Sequence, residues 1–175
     1  MTTPGPSSQA TDMRHMYSFV DYSSSDEKKL YYPSDSISGI ISSHPKMKKF
    51  WILVKKAKMN GQLAQPQANC TIFVPLDNEL KQHDRFFELM DTGLAVRTLN
   101  ASIMNRRIDK SILEASPVSY IQTRNPSARV YITNIDGVTK MNGNVQIEEF
   151  DIRASNGLIH TVNGLLTPSN DTFIN

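Results

Sequence analysis

Few side chains in this chain could do chemistry, and none stand at spacings that a reaction needs. The four histidines, His15, His44, His83 and His160, are scattered, and no two are set to present both rings to one metal from a single helix face. The glycine-framed serine of hydrolases, the phosphate-cradling glycine loop and the dinucleotide fingerprint are all missing. Cys70 is the sole cysteine, so an internal disulfide is impossible. It opens an apolar run with no basic group or helix start beside it to activate the thiol, and it reads as a small core residue. His160 lies inside the apolar stretch 158–166 and reads as a partly buried histidine hydrogen-bonded to backbone. Asp77 follows Pro75 and Leu76, placed to cap the short helix that comes next. No catalytic residue, metal or cofactor is nominated. The expectation is a protein that binds and does not transform.

The elements that must position these residues follow from composition and periodicity. With 175 residues, 39% hydrophobic and 21% charged, the chain has the make-up of one soluble globular domain. The net charge of +2 is too small to argue for nucleic acid. No apolar run is long enough to span a bilayer. Residues 1–33 form a polar arm rich in serine and proline that nonetheless carries Met16, Tyr17, Phe19, Tyr22, Tyr31 and Tyr32. Such an arm is suited to docking on a neighbouring protein or to packing back on its own domain. Residues 34–60 read as two helices, the first capped from Ser34, Asp35 or Ser36, the second restarted at Pro45 and closed at Asn60-Gly61. Met47, Phe50, Trp51 and Val54 make its buried stripe. Lys48, Lys49, Lys55 and Lys56 lie opposite, either a solvated face or a patch for an acidic partner.

Residues 70–75 read as a strand covered on both faces. Residues 78–115 are broken helix with a short strand near 101–104, and Asp109 caps the last piece. From 116 onward the pattern is β: 118–122, 128–135, 138–141, 144–147, 150–153 and 158–166, punctuated by Asp136-Gly137, Asn142-Gly143 and Asn156-Gly157. Asn156-Gly157 and Asn163-Gly164 are each expected to supply the positive φ of a tight reversal into an apolar strand. Helices first and strands last make an α+β chain.

Two of these stretches carry a resemblance. Ala154-Ser155-Asn156-Gly157-Leu158-Ile159-His160-Thr161-Val162, running on to Leu165-Leu166-Thr167-Pro168, resembles the second signature of the fasciclin I family. Upstream, Thr71-Ile72-Phe73-Val74-Pro75-Leu76-Asp77 resembles the first. The resemblance implies a wedge-like β-sandwich of about seven strands with helices along one edge, spanning residues 34–168, with the arm before it and a tail at 169–175. It also implies that Thr71, Phe73, Pro75, Asp77, Asn156, Gly157, Ile159, His160 and Pro168 hold the fold. Leu76 stands where the family has threonine or serine, and Ala101-Ser102 where some animal members carry a Tyr-His pair associated with integrin binding. Integrin adhesion is therefore not implied. Partners are other protein subunits, met through residues 1–33 and the lysine face. Residues 1–8 look unlike a secretory signal, so a site inside a cell or a particle such as a virion capsid is expected. The alternative is a secreted or surface adhesion domain whose signal was removed, glycosylated at Asn69, Asn100 or Asn170.

Overall fold

The computed structural model describes residues 20–21, 29–30 and 32–167. The expectations resting on Met16, Tyr17, Phe19, Tyr22, Tyr31 and Pro168 lie outside those residues. Two dipeptides of the arm, β1 (Val20–Asp21) and β2 (Lys29–Leu30), pair antiparallel. The domain then opens with α1 (Ile37–Ser43) and α2 (Lys48–Lys56). After two 3-10 turns at Gln62–Ala64 and Pro66–Ala68 comes β3 (Cys70–Pro75). A 3-10 segment at Asp77–His83 leads to α3 (Asp84–Leu89) and α4 (Thr92–Asn100), then β4 (Ile103–Met104) and α5 (Lys110–Leu113). Five strands finish the chain: β5 (Val118–Gln122), β6 (Arg129–Ile135), β7 (Val138–Met141), β8 (Val145–Ala154) and β9 (Gly157–Val162).

Seven of the strands form one mixed sheet in the order β4-β3-β9-β8-β7-β6-β5. The two signature stretches are its central pair: β3 and β9 run parallel with Ile72 opposite Ile159 and Phe73 opposite His160. Every residue of both strands is buried, as expected of parallel neighbours covered on each face. On one side they pack against α1 to α4 through Ile37, Ile41, Phe50, Leu53, Val74 and Leu99. On the other, Phe73, Met104 and Val162 share a second core with Ile121, Val130, Ile132, Met141 and Ile147. Met104 and Ile121 belong to opposite ends of the sheet order yet meet in one core, so the sheet folds over on itself as a wedge. Arg124 N–H donates to Ile103 O at 2.8 Å and draws the two ends together, but no ladder joins β4 to β5 and the sheet is not closed.

Several boundaries differ from the sequence reading for identifiable reasons. Ser36 caps α1, its hydroxyl accepting from Gly39 N–H at 3.0 Å. The second helix starts at Lys48, not at Pro45, and stops before Asn60-Gly61. Met59 N–H reaches Val54 O (3.1 Å) and Lys58 N–H reaches Lys55 O (2.9 Å), with Lys58 itself at φ 59°. That is a Schellman stop with lysine where glycine is usual. The runs 144–147 and 150–153 are one strand, β8, interrupted by register shifts between Ile147 and Ile152 where Asp151 takes φ 60°. Asp136-Gly137 and Asn142-Gly143 turn with both residues at positive φ, as hairpins demand. Asn156-Gly157 and Asn163-Gly164 do not; β9 simply ends at Val162, and Leu165 and Leu166 enter the cores from outside any strand.

Candidate interaction surface

Two of the signature residues, Thr71 and His160, converge on one backbone segment, residues 106–108. Thr71, on β3, donates its hydroxyl to Arg106 O at 2.7 Å and accepts from Ile108 N–H at 2.8 Å. His160, beside it on β9, lies 2.7 Å from Ile108 O through Nε2, while its Nδ1 accepts from Asp151 N–H at 3.0 Å. A carbonyl can only accept and a backbone N–H can only donate, so these partners select the neutral imidazole with its proton on Nε2. His160 is fully buried, and burial pushes it below the ordinary histidine value, against the opposing pull of the Ile108 carbonyl and the Asp151 and Asp109 carboxylates. Phe73 and Phe150 flank the ring at 5.2 and 5.7 Å. Both nitrogens are engaged and the ring is walled in, so it has no lone pair or proton to offer a substrate. Cys70 is likewise enclosed, and desolvation raises its thiol pKa away from reactivity. Among the described residues no group of three or more His, Cys, Asp or Glu side chains could hold a metal.

Asn156 is the second knot. Its Oδ1 accepts from Ile37 N–H at 2.9 Å, and its Nδ2 donates to Leu63 O and Gln65 O, each at 2.9 Å. One buried amide thus joins α1, the 3-10 turn and the β8–β9 turn. Gly157 follows because a Cβ there would lie 2.2 Å from Cys70 O and 2.8 Å from an Ile37 methyl: the site needs a bare backbone for close strand approach, not a positive φ. Asp77 also departs from expectation. Its own 3-10 segment has no side-chain cap; the carboxylate instead accepts from Lys49 N–H at 2.8 Å and Lys48 N–H at 3.3 Å, capping the remote helix α2. Asp77 N–H returns a bond to Lys46 O at 2.8 Å.

Thr71, Asn156 and His160 are buried, and the exposed apolar and charged side chains lie on the outer faces. On α2, Lys48, Ile52, Lys55 and Lys56 form one exposed stripe, with Ile52 46% exposed among the lysines. Lys49 is drawn off the stripe into an ion pair with Asp84 at 2.6 Å. Beside it lies a cleft of about 610 Å³ bordered by Lys46, Lys49, Leu76, Asp77 and Lys81. Tyr32 packs edge-on against Trp51 at 5.7 Å and its hydroxyl accepts from Asn60 Nδ2 at 2.7 Å. A second face lies on β5 and β6, where Val118, Tyr120, Tyr131 and Ile135 are all exposed.

The fasciclin domain family model matches residues 45–168, well over half of the chain. This chain belongs to the fasciclin family. Among solved structures, a fasciclin domain pair from the insect cell adhesion molecule fasciclin I is similar to it, with a TM-score of 0.66 at 19% identity, over 82% of this chain and 53% of that one. The chain thus spans about half the length of that pair. Comparison by sequence with curated proteins finds no match. Fasciclin domains are generally non-catalytic modules of protein interaction and adhesion.

Within this fasciclin domain the wiring of the knot is not legible in the sequence. Thr71 and His160 could be named, yet their common target, Ile108, lies 37 and 52 residues away. Nothing in the sequence flags it, because a backbone group has no signature of its own. The patch on β5 and β6 has no sequence signal of its own: Tyr120 pairs with Tyr131 across the strands, and their exposure shows that both face outward. Where other members carry the Tyr-His pair, Ala101 and Ser102 are fully buried. Asn69, in the first sequon, is exposed. No helix among the described residues is long and apolar enough to cross a membrane.

Proposed function

We propose that this fasciclin domain is a non-enzymatic protein–protein interaction module: a structural or adhesive subunit that holds its place in a larger assembly by docking on acidic neighbours through α2 and residues 1–33. The observation that carries the reading is the α2 stripe, where an exposed isoleucine is ringed by Lys48, Lys55 and Lys56, none of which pairs with a carboxylate among the described residues. An apolar centre within a like-charged rim suits a complementary acidic surface: the rim steers the encounter and the centre is desolvated in it. Tyr32, next to the stripe in its contact with Trp51, is the point of the domain from which residues 1–31 extend, so a partner of both is a natural reading. A particle shell is one assembly that such a subunit suits.

The test is incorporation. With Lys48, Lys55 and Lys56 replaced by glutamate, or with residues 1–31 deleted, the amount of chain recovered in its native assembly falls tenfold or more, since each tenfold step needs only about 1.4 kcal/mol of lost contact. Unchanged incorporation of both variants refutes the reading. A native protein carrying glycan at the exposed Asn69 would support the surface-adhesion alternative instead.

A further inference from the structure

The geometry points to the free edge of β5 as a pairing site for a second copy of this chain, the two β5 strands running antiparallel across a two-fold axis near Tyr120. This rests on the reading of the chain as a protein-binding module and names one of its partners. Strand β5 is the last in the sheet and, among the described residues, its strand partner is β6 alone. Edge strands are commonly blunted by an inward charge, an internal proline, a bulge or extreme shortness. The five residues Val-Ser-Tyr-Ile-Gln of β5 have none of these, and their register with β6 is unbroken. The opposite edge, β4, is two residues long, and its Ile103 carbonyl is taken by Arg124 N–H; that bond also bounds the open stretch of β5, which ends at Gln122.

The same strand carries exposed apolar surface. Val118 is 53% exposed and Tyr120 62%, with Ile135 at 63% on the neighbouring strand. Arg129 lies over the Tyr120 ring at 4.8 Å and fixes its position. The charges flanking the strand select direction. Glu114 and Asp136 are exposed near its N-terminal end; near its C-terminal end Arg129 is exposed and Arg124 half-buried, and among the described residues the Arg124 guanidinium bonds to the neutral side chains of Asn105 and Gln62. Antiparallel pairing brings the acidic end of one copy to the basic end of the other, whereas parallel pairing would oppose like charges. A two-fold axis is also the symmetry in which a strand can pair with itself and close. A five-residue edge falls short of the roughly 800 Å² per partner of a standard interface, so the pairing is weak and depends on local concentration.

Sedimentation velocity on the full chain tests this. The weight-average mass of the unmodified chain should climb toward twice the monomer value as concentration rises from about 1 to several hundred µM, the range of a small interface. Tyr120→Lys, at a position too exposed to disturb folding, should remain a monomer throughout, while the Lys55→Glu, Lys56→Glu double variant should associate like the unmodified chain. Tyr120→Cys should form a disulfide-linked dimer on oxidation, and Lys56→Cys should not; the native Cys70 is buried and takes no part. A chain that stays monomeric at every concentration, or a Tyr120→Lys variant that associates unchanged, overturns the proposal. A monomeric chain that still enters its assembly through α2 would overturn self-pairing alone and leave the interaction module standing.

Discussion

His160 is held neutral by geometry, and this makes it a reporter of the fold. Protonating Nδ1 would break the bond from Asp151 N–H inside a buried site. The native pKa lies below the ordinary value of 6.5, so over the interval between the two the unfolded chain binds more protons than the folded one. Stability from this residue is therefore complete above about pH 6.5 and is lost as pH falls toward the depressed native value, at up to about 1.4 kcal/mol per pH unit. Urea unfolding of the native chain and of His160→Gln between pH 5 and 8 should show that extra slope in the native chain only; glutamine can still offer one donor and one acceptor but does not titrate. Equal slopes would mean the ring is not buried neutral. Asn156→Ala should cost about 3 kcal/mol, because it strands Ile37 N–H and two carbonyls at once, and a thermal melt would show it.

At the scale of elements, the β3–β9 pair and the α2 ends make the sharpest demands. Gly157→Ala forces a Cβ against the Cys70 carbonyl and should destabilise by 3 kcal/mol or more, roughly the penalty of an overpacked core. Lys58→Gly should stabilise by about 1 kcal/mol, since lysine now sits at φ 59° in a position that glycine fills without strain. Both signature strands were legible because continuous apolar runs bounded by Asn-Gly and Pro leave little choice. The end of α2 was not. Its stop is set by two backbone hydrogen bonds around Lys58, and no turn-forming residue announces them. The unity of β8 was also hidden, because its bulge breaks the two-residue period at Glu148-Glu149 and mimics a loop. For Asp77 the residue type suggested a cap, but local spacing pointed to the wrong helix, since a remote N-terminus leaves no trace in sequence.

For the whole molecule, the resemblance conveyed the fold that periodicity alone left as an α+β outline. Of the signature residues, Ile159 lies in the core beneath the helices and Phe73 in the core between the folded halves of the sheet. What remains exposed differs on two sides: lysines around Ile52 on α2, and tyrosines with aliphatic residues on β5 and β6. Partners should therefore be gained or lost through surface changes that leave the melting temperature alone. Changes at Thr71, Asn156 or His160 should act first on stability and reach binding only through it.

The most direct test is amide hydrogen exchange of the full chain, free and within the assembly from its native source. The account predicts slowed exchange over Lys48–Lys56, with residues 105–110 around His160 exchanging as they do in the free chain. Slowing centred on residues 105–110, with none over α2, would contradict it.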